Sequence, residues 1–583
     1  MSKLIALLQI NPKVGDLENN SNRLLEMIEL AKSHGADISV SSELALSGYP
    51  PRDLLNNQDF IQRCHDIAEK MSPSIPSLVG LPVKSGENRQ LPSNAVMRLE
   101  KQINSLVKDG MSNVVAKKIL LPTYDVFDEA RYFEPGTKSG LTRNIAGLDL
   151  GVTICEDAWQ NASQTPSDYD SNPIEMLAEL EYQGVPLDAT VNLSASPFHY
   201  EKLEVRLNVA KDAAKTLQHP FLLANQVGGN DDLLFDGSSM VAWPNGKAVI
   251  APAWREGILL VDLTNPEACE WIDLPEGYPM RSTPELRILE NSESNIFKSS
   301  RIQEICDATI VGLGDYCRKS NLNSIVLGMS GGIDSAVAAC VACEAIGPEN
   351  VLGISMPSKF SSQHSISDAE YTCKSLGMDY LEHTIAQMHE STISSIGEML
   401  SKGNPVASEN IQARLRAIIV MGFANAQSRM AIATGNKSEL SQGFCTLYGD
   451  MAGGYAPLGD VWKMDVYAMA ELFNSTATSD GMAAPISEST LTKPPSAELA
   501  EDQIDEDVLP PYDVLDGILK LYIEQNQSIE EIVTAGFDSK IVNEVISRLG
   551  NNEHKRWQMP PAPRISNRAF GQGWRMPLAS RKN

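Results

Sequence analysis

No stretch of eighteen or more apolar residues occurs in the 583-residue chain, so no membrane-spanning helix is expected. The N-terminus, MSKLIALLQINP, is apolar only briefly and ends in a polar Asn-Pro stop. It reads as a first strand rather than a signal peptide. The nine Cys lack the spacing of a disulfide framework, which points to reduced thiols and the cytosol. Cys340 and Cys343 form a lone CxxC, but they lie among Ala and Val in a helical pattern and read as buried thiols. The eight His show no paired ligand spacing, so no zinc site is expected. Positive charge is scarce: 48 Lys and Arg stand against 75 Asp and Glu, for a net charge of −27. That balance argues against nucleic acid or an anionic membrane as partner, and anionic small molecules would need locally basic pockets. Charge is also uneven. His554 to Asn583 holds seven Lys or Arg and no acid, whereas Glu498 to Asp507 holds six acids in ten residues. A solvated face or tail is the ordinary reading of either run.

What is present begins with length, which is too great for one core and implies two to four domains. In the first half, strands are expected at Leu4–Ile10, Ile38–Val40, Leu78–Val83, Ala95–Leu99, Asn113–Ala116, Leu148–Ile154, Ala189–Leu193 and Phe221–Asn225. Helices are expected at Asn20–Ala36, Pro173–Gln183 and Leu203–Leu217, and Pro244-Asn245-Gly246 marks a hairpin. The result is a mixed α/β domain with two helix-covered sheets. Thr264 to Phe297, with four Pro and no sustained periodicity, is the linker candidate.

The second half turns on GMSGGIDS, the residues Gly328, Met329, Ser330, Gly331, Gly332, Ile333, Asp334 and Ser335. An apolar strand precedes it and a helix pattern, Ala336–Ala345, follows. A glycine-rich turn there lets backbone N–H groups approach an anion, and the helix N-terminus adds partial positive charge. The Gly-Lys-Ser/Thr ending of a Walker A loop is missing. The stretch instead matches the SGGxDS pyrophosphate loop and resembles enzymes that split ATP into AMP and pyrophosphate. Helices at Arg301–Lys319 and Asn410–Ser428 and strands at Val351–Met356, Met378–Ile385 and Met430–Thr434 complete a doubly wound parallel sheet. Ser358–Ser367 reads as a polar, mobile loop. Polar clusters follow the later strands, where ligands bind in such sheets, and TGNKSE is the hardest of them to explain as structure alone.

Three residues of the first half have the chemistry of amide hydrolysis. Cys155, in LGVTICEDAW, ends a strand and suits a nucleophile; Glu43, in SSELALSGYPPRDLL, suits the base that takes its proton. Lys118, in AKKILLPTYDVFDEARYF, suits an oxyanion partner. Each alone has an ordinary reading as a solvated charge or a core thiol. With their flanks they resemble the nitrilase superfamily, and GYPPRDLL, LPTYDVFDE and CEDAW resemble the glutaminase domain of the glutamine-dependent NAD+ synthetase family. TGNKSE, KPPSAEL and HKRWQMPPAPRIS resemble that family's synthetase domain, so the resemblance covers nearly the whole chain.

The resemblance implies an N-terminal nitrilase-like α-β-β-α sandwich over residues 1–265, a linker over 266–298, and an adenine nucleotide α hydrolase-like domain over 299–583. It implies Glu43 as general base, Lys118 as oxyanion partner, Cys155 as nucleophile and Glu129 as a second carboxylate that orients Lys118. Tyr124, Ser196 and Lys202 fall at glutamine-contacting positions, with Tyr49 and Phe127 as pocket walls. Gly328 to Ser335, Thr434 and Lys463 fall at ATP positions. Asn410, Arg414, Glu439 and Lys555 fall at deamido-NAD+ positions. Asp334 and Glu439 are the expected Mg²⁺ carboxylates, with Asp450 as a further candidate, and Lys437 joins Lys463 as a neutraliser of phosphate charge. The acidic run near Glu498 falls in a substrate-covering loop. The implied reaction converts deamido-NAD+, glutamine and ATP to NAD+, glutamate, AMP and diphosphate, with ammonia passed between two sites in a homo-oligomer.

Two departures stand out: Ser42 where the family often has Pro, and a polar insertion, Gln160 to Asn172. Other ATP-dependent amidating enzymes, a binding protein with dead sites, and an amidase with an ATP-sensing domain are the competing readings.

Overall fold

In the computed structural model the described residues are 3–85, 91–101, 113–160, 169–274, 278, 280, 285–290, 300–400, 406–496, 498–500 and 504–580. The chain divides into two compact units, Met1–Asn230 with Leu234–Ser299 and Asp231–Leu233 with Ser300–Asn583.

The central strands of the first unit are buried along nearly their whole length, because each sheet has one face against its partner sheet and the other under helices, whereas edge strands such as Glu270–Asp273 are partly exposed. In chain order they are β1 (Leu4–Gln9), β2 (Ile38–Val40), β3 (Ser77–Lys84), β4 (Pro92–Leu99), β5 (Val114–Lys117), β6 (Gly140–Ile145), β7 (Leu148–Ile154) and β8 (Ala189–Ser194). They continue as β9 (Phe221–Asn225), β10 (Val227–Asn230), β11 (Leu233–Asp236), β12 (Met240–Ala242), β13 (Ala248–Ile250), β14 (Gly257–Asp262), β15 (Glu270–Asp273) and β16 (Arg287–Leu289). One seven-stranded sheet runs β15-β14-β1-β2-β3-β4-β5 and the other β16-β13-β12-β9-β8-β7-β6. Side chains from both sheets, among them Leu7, Val40, Val96, Val152, Val191, Leu193 and Leu222, form one core between them. Alternate residues such as Leu8, Val79 and Met97 pack outward in one cluster with Leu24, Met27 and Ile28 of the helix Leu17–Ser33 and Ala68 of the helix Gln58–Lys70. On the other side Phe221, Leu223 and Met240 pack against Leu207, Ala210 and Ala214 of the helix Lys202–Leu217. This period-two division of the strands is the α-β-β-α sandwich that was expected.

The hairpin at Asn245-Gly246 is present, with β12 and β13 antiparallel. Strand β14, an apolar run that lies between β1 and β15, was not among the expected strands. Two short edge strands, β15 and β16, fall inside the stretch expected as linker. Three or four residues are too few to show a period, so proline content dominated the reading there. Residues 275–277, 279, 281–284 and 291–298 of that stretch lie outside the described residues.

The second unit is built on β17 (Ile325–Gly328), β18 (Val351–Ser355), β19 (Asp379–Glu382) and β20 (Met430–Ala431), all parallel, in the order β19-β18-β17-β20. The chain steps outward to β18 and β19, then returns to the opposite side of β17. That reversal opens a crevice beyond the carboxyl end of β17, where GMSGGIDS lies. Of the stretch Ser358–Ser367, expected as a loop, the second half is helical: Ser362 caps a helix, Gln363–Leu376, by accepting a hydrogen bond from the Ser365 N–H. A separate helical core gathers Leu515, Ile518, Leu519, Val542, Val545 and Leu549 around Trp462. Cys340 and Cys343 are buried, and none of the nine Cys forms a disulfide. No helix among the described residues is long and apolar enough to cross a membrane.

Leu193 is fully buried in the core between the sheets, one residue before the strand end that meets Glu43. Leu193→Ala should cost about 2–5 kcal/mol in urea unfolding of the first unit's transition, and Leu193→Ile under about 1.5 kcal/mol.

Candidate active sites

Glu43 is carried by the turn after β2. Gly80 on β3 makes room for it: a Cβ there would stand 2.6 Å from the Leu44 nitrogen and 2.7 Å from the Ser42 oxygen. The Glu43 N–H donates to the Ser194 carbonyl at the end of β8, 3.3 Å away. Lys118 follows β5, and its N–H donates to the carbonyl of Asn94 on β4 at 2.8 Å. Cys155 follows β7 and opens a short 3₁₀ turn, Cys155–Ala158, with its own φ at +45°. A side-chain-bearing residue in the left-handed region costs about 1–2 kcal/mol. The turn bends the chain sharply at the nucleophile position, and the carbonyl of Cys155 is held by Asn192 Nδ2 at 3.3 Å.

These three strand ends place a buried ion cluster at one point. Lys118 Nζ lies 2.7 Å from Glu43 Oε1 and 2.8 Å from Glu129 Oε1. Glu43 Oε1 also accepts from Asn94 Nδ2 at 2.7 Å, and Oε2 accepts from the Ala195 N–H at 3.1 Å. Tyr49, expected as a pocket wall, donates its hydroxyl to Glu129 at 2.8 Å. Burial raises the Glu129 carboxyl to about 7, opposed by Lys118. The two carboxylates outweigh burial at Lys118 and hold its ammonium charged well above the ordinary range. Cys155 is raised well above an ordinary thiol by burial and then by Glu43, with Lys118 opposing. The resting nucleophile is therefore a thiol.

Two acids next to Cys155 had no separate role in the sequence reading. Asp157 accepts the N–H groups of Ile119 and Leu120 on Oδ1, at 3.0 and 2.9 Å, and that of Ile154 on Oδ2, at 3.0 Å. One buried carboxylate thus ties the Lys118 segment to the Cys155 turn. Glu156, also buried, accepts from the hydroxyls of Tyr124 at 2.9 Å and Tyr169 at 3.0 Å. Tyr169 belongs to the insertion, whose residues 161–168 lie outside the described residues. The signal for both acids is CEDAW itself, which was used as a resemblance and not residue by residue. Phe127 packs edge-on against Tyr124 at 5.4 Å, Lys202 Nζ lies 4.3 Å over the Trp159 ring, and Ser196 donates its N–H to Asn225 Oδ1 at 3.0 Å.

In the second unit, Gly331 has φ +78°, and a Cβ there would stand 2.1 Å from the Ser365 carbonyl oxygen. Only glycine fits. Gly332 caps the helix Ile333–Ile346, and Ser330 Oγ accepts the Gly332 N–H at 3.1 Å while lying 3.1 Å from Ser335 Oγ. Met329 and Ile333 are buried, so within that run they offer a ligand backbone groups and not side chains. Lys463 Nζ, itself buried, reaches Asp334 Oδ2 at 2.5 Å and Glu439 Oε1 at 3.1 Å, and Asn436 donates to Asp334 Oδ1 at 2.9 Å. Burial raises Glu439 to about 8, with Lys463 opposing and Asp334 and Asp505 adding to the rise.

Lys437 does not stand free for phosphate. It is fully buried, 2.8 Å from Asp460 and 2.5 Å from Ser566 Oγ, and ties the C-terminal segment to the helix Lys437–Gln442. Asn410, Arg414, Asp450 and Lys555 all meet the loop 443–450. Asn410 Oδ1 accepts from Thr446 Oγ1 at 2.7 Å, and Arg414 Nε donates to the Leu447 carbonyl at 3.2 Å. Asp450 Oδ1 accepts the Thr446 N–H at 2.6 Å, and Lys555 Nζ donates to the Gly443 and Cys445 carbonyls at 2.6 and 2.7 Å. Asp450 is thus engaged within this loop, whereas Asp334 and Glu439 share Lys463. Thr434 lies just beyond β20, half-buried. Glu498 accepts from the hydroxyls of Ser362 at 3.0 Å and Ser365 at 2.7 Å, while residues 501–503 of the acidic run lie outside the described residues.

A carboxylate–lysine–carboxylate cluster beside a cysteine on one unit, and a glycine-rich cradle on the other, define a two-part enzyme. Its halves match the carbon–nitrogen hydrolase family model over residues 4–273 and the NAD synthase family model over residues 304–560. The glutamine-dependent NAD(+) synthetase of Synechocystis sp. is 40% identical over 591 residues, covering 99% of this chain and 98% of the relative. That of Thermotoga maritima is 38% identical, with 99% and 98% covered. The structure of glutamine-dependent NAD+ synthetase from Acinetobacter baumannii in complex with ADP is 31% identical, with 99% of this chain and 98% of that chain covered and a TM-score of 0.71. The chain belongs to the glutamine-dependent NAD(+) synthetase family, and it is a ligase that forms a carbon–nitrogen bond.

The environment of Cys155 yields a chemical expectation. Modification by a small neutral alkylating agent should be slow at pH 7 and climb continuously past pH 9, because the thiolate forms only as the raised thiol ionises. A plateau reached near pH 6, measured by mass spectrometry of the Cys155 peptide, would contradict this.

Proposed function

We propose that the chain makes NAD+ from deamido-NAD+ and ATP with nitrogen drawn from glutamine, the first unit releasing the ammonia and the second consuming it. The observation that carries the reading is the buried Glu43–Lys118–Glu129 cluster at the Cys155 turn, on a chain whose other half has the pyrophosphate cradle. Glu43 takes the Cys155 proton as sulfur attacks the glutamine carboxamide carbon. Lys118 stabilises the oxyanion, Glu129 and Tyr49 hold Lys118 in place, and Glu43 returns the proton to departing ammonia. Water then releases glutamate from the thioester. Tyr124, Ser196 and Lys202 receive the amino-acid end of glutamine, and Phe127 closes one wall.

In the second unit the deamido-NAD+ carboxylate attacks the α-phosphorus of ATP, and diphosphate leaves onto the amides of Ser330 to Asp334. Ammonia displaces AMP from the acyl-adenylate. Thr434 and Lys463 serve ATP, and Asn410, Arg414 and Lys555 order the loop 443–450 against deamido-NAD+. The ADP held by the A. baumannii relative supports an adenine nucleotide here. Asp334 and Glu439 fit a magnesium ion: two carboxylates converge where only one cation, Lys463, balances them, and burial with mutual repulsion raises Glu439 to about 8. Bound there, the ion would offset charge on the leaving diphosphate. Each unit's catalytic module extends to the end of its sheet, so we place the boundary after Leu289.

Cys155→Ala should lose glutamine-dependent NAD+ formation by at least about a thousandfold and retain synthesis with added ammonium. Loss of both activities in a folded variant would remove the two-site reading. Asp334→Asn should lower diphosphate release by about a hundredfold or more with either nitrogen source. Unchanged release would take Asp334 out of the site.

A further inference from the structure

We propose that Asn94 is a positioning residue that decides which oxygen of Glu43 acts as base. The inference rests on Glu43 being the proton acceptor and goes beyond the Glu-Lys-Cys set. Asn94 sits on β4, is 1% exposed, and acts twice. Its carbonyl accepts the Lys118 N–H at 2.8 Å, fixing the backbone that carries the lysine. Its Nδ2 donates to Glu43 Oε1 at 2.7 Å, the oxygen that Lys118 Nζ also contacts at 2.7 Å. Oε1 is therefore occupied by two donors, one of them charged. Among the described residues Oε2 accepts only the Ala195 N–H, at the longer distance of 3.1 Å. A carboxylate oxygen with two strong donors has little lone-pair density left for a proton, so the thiol proton goes to Oε2.

The same amide tunes how basic Glu43 is. Its hydrogen bond favours the charged carboxylate, as does Lys118, while the negative charge of Glu129 opposes both; Cys155, Tyr49, Glu156 and Asp157 are further titratable groups facing the cluster. Removing the amide donor raises the pH at which Glu43 becomes a base. The acidic limb of glutamine hydrolysis then moves to higher pH. A residue that merely filled space would lower the rate evenly and leave that limb where it was.

The test compares Asn94→Ala, Asn94→Asp and Asn94→Ser in the full chain. The readouts are the pH profile of kcat/KM for glutamate release and, on the same preparation, ammonium-dependent NAD+ formation as the measure of an intact fold. In Asn94→Ala the acidic limb should rise by about one pH unit, a tenfold loss on that limb. Asn94→Asp keeps the volume but substitutes an acceptor for the donor, so its limb should rise further. Asn94→Ser retains a donor hydroxyl and should shift less than Asn94→Ala. An unmoved limb in either Asn94→Ala or Asn94→Asp overturns the proposal, as does an Asp variant more active than the Ala variant. Loss of ammonium-dependent synthesis in both overturns it in favour of a purely structural role. Glu43→Gln separates the underlying reading: if it retains glutamine hydrolysis, Glu43 is not the base.

Discussion

A lysine with no exposed side-chain surface, clasped between two carboxylates, is the constraint around which the first unit is arranged. An ammonium taken out of water loses several kcal/mol of hydration, and only close, hydrogen-bonded counter-charges repay it. Removing one partner from such a buried pair typically costs about 3–5 kcal/mol. The repayment demands three separate strand ends at one point, and the sandwich supplies them: Glu43 after β2, Lys118 after β5 and Cys155 after β7. The same burial, with the charge of Glu43 adding to it, raises Glu129 to about 7 and raises the Cys155 thiol well above its ordinary value. The nucleophile is not held as a preformed thiolate. It is held as a neutral group beside a base, and the lysine at its side, Lys118, is already committed to carboxylates.

The second unit meets the opposite problem, since its ligands bring the negative charge. Its answer is backbone rather than side chain. The cradle offers amides and a helix N-terminus, while the cation nearest it, Lys463, rests on Asp334 and Glu439. Before nucleotide binds, those carboxylates have a partner and the buried lysine is neutralised. Lys437 shows the alternative fate of a lysine in this region: enclosed by Asp460, Glu524 and Ser566, it stabilises the fold and does no chemistry.

Much of this was legible in the sequence, for identifiable reasons. Glu43, Lys118 and Cys155 each sit in a flank whose residues are themselves constrained, so the strand ends and their chemistry could be read together. The glycines of the cradle carried the same kind of information. Which residues of that run present side chains was not legible, because it interleaves core residues, Met329 and Ile333, with more exposed ones and the pattern does not separate them. Asn94 and Asp157 were invisible for another reason. Their partners lie 51 and 37 residues away along the chain, and an Asn in a strand or an Asp after a Cys has no local signature. Strands β15 and β16 escaped because such short segments gain their identity only from the sheets they join.

The missing side chain at Gly331 has a consequence beyond room for a phosphate. It lets the Ser365 carbonyl rest against the cradle, and the Ser365 hydroxyl is in turn held by Glu498, at the edge of the acidic run. The cradle, the helix Gln363–Leu376 behind it and Glu498 are therefore joined by one chain of contacts. Were uptake of diphosphate to shift that chain as far as Glu498, reciprocity would require a change in how Glu498 is held to alter the grip on diphosphate by the same free energy. The absence of one Cβ is what lets the cradle touch that chain at all.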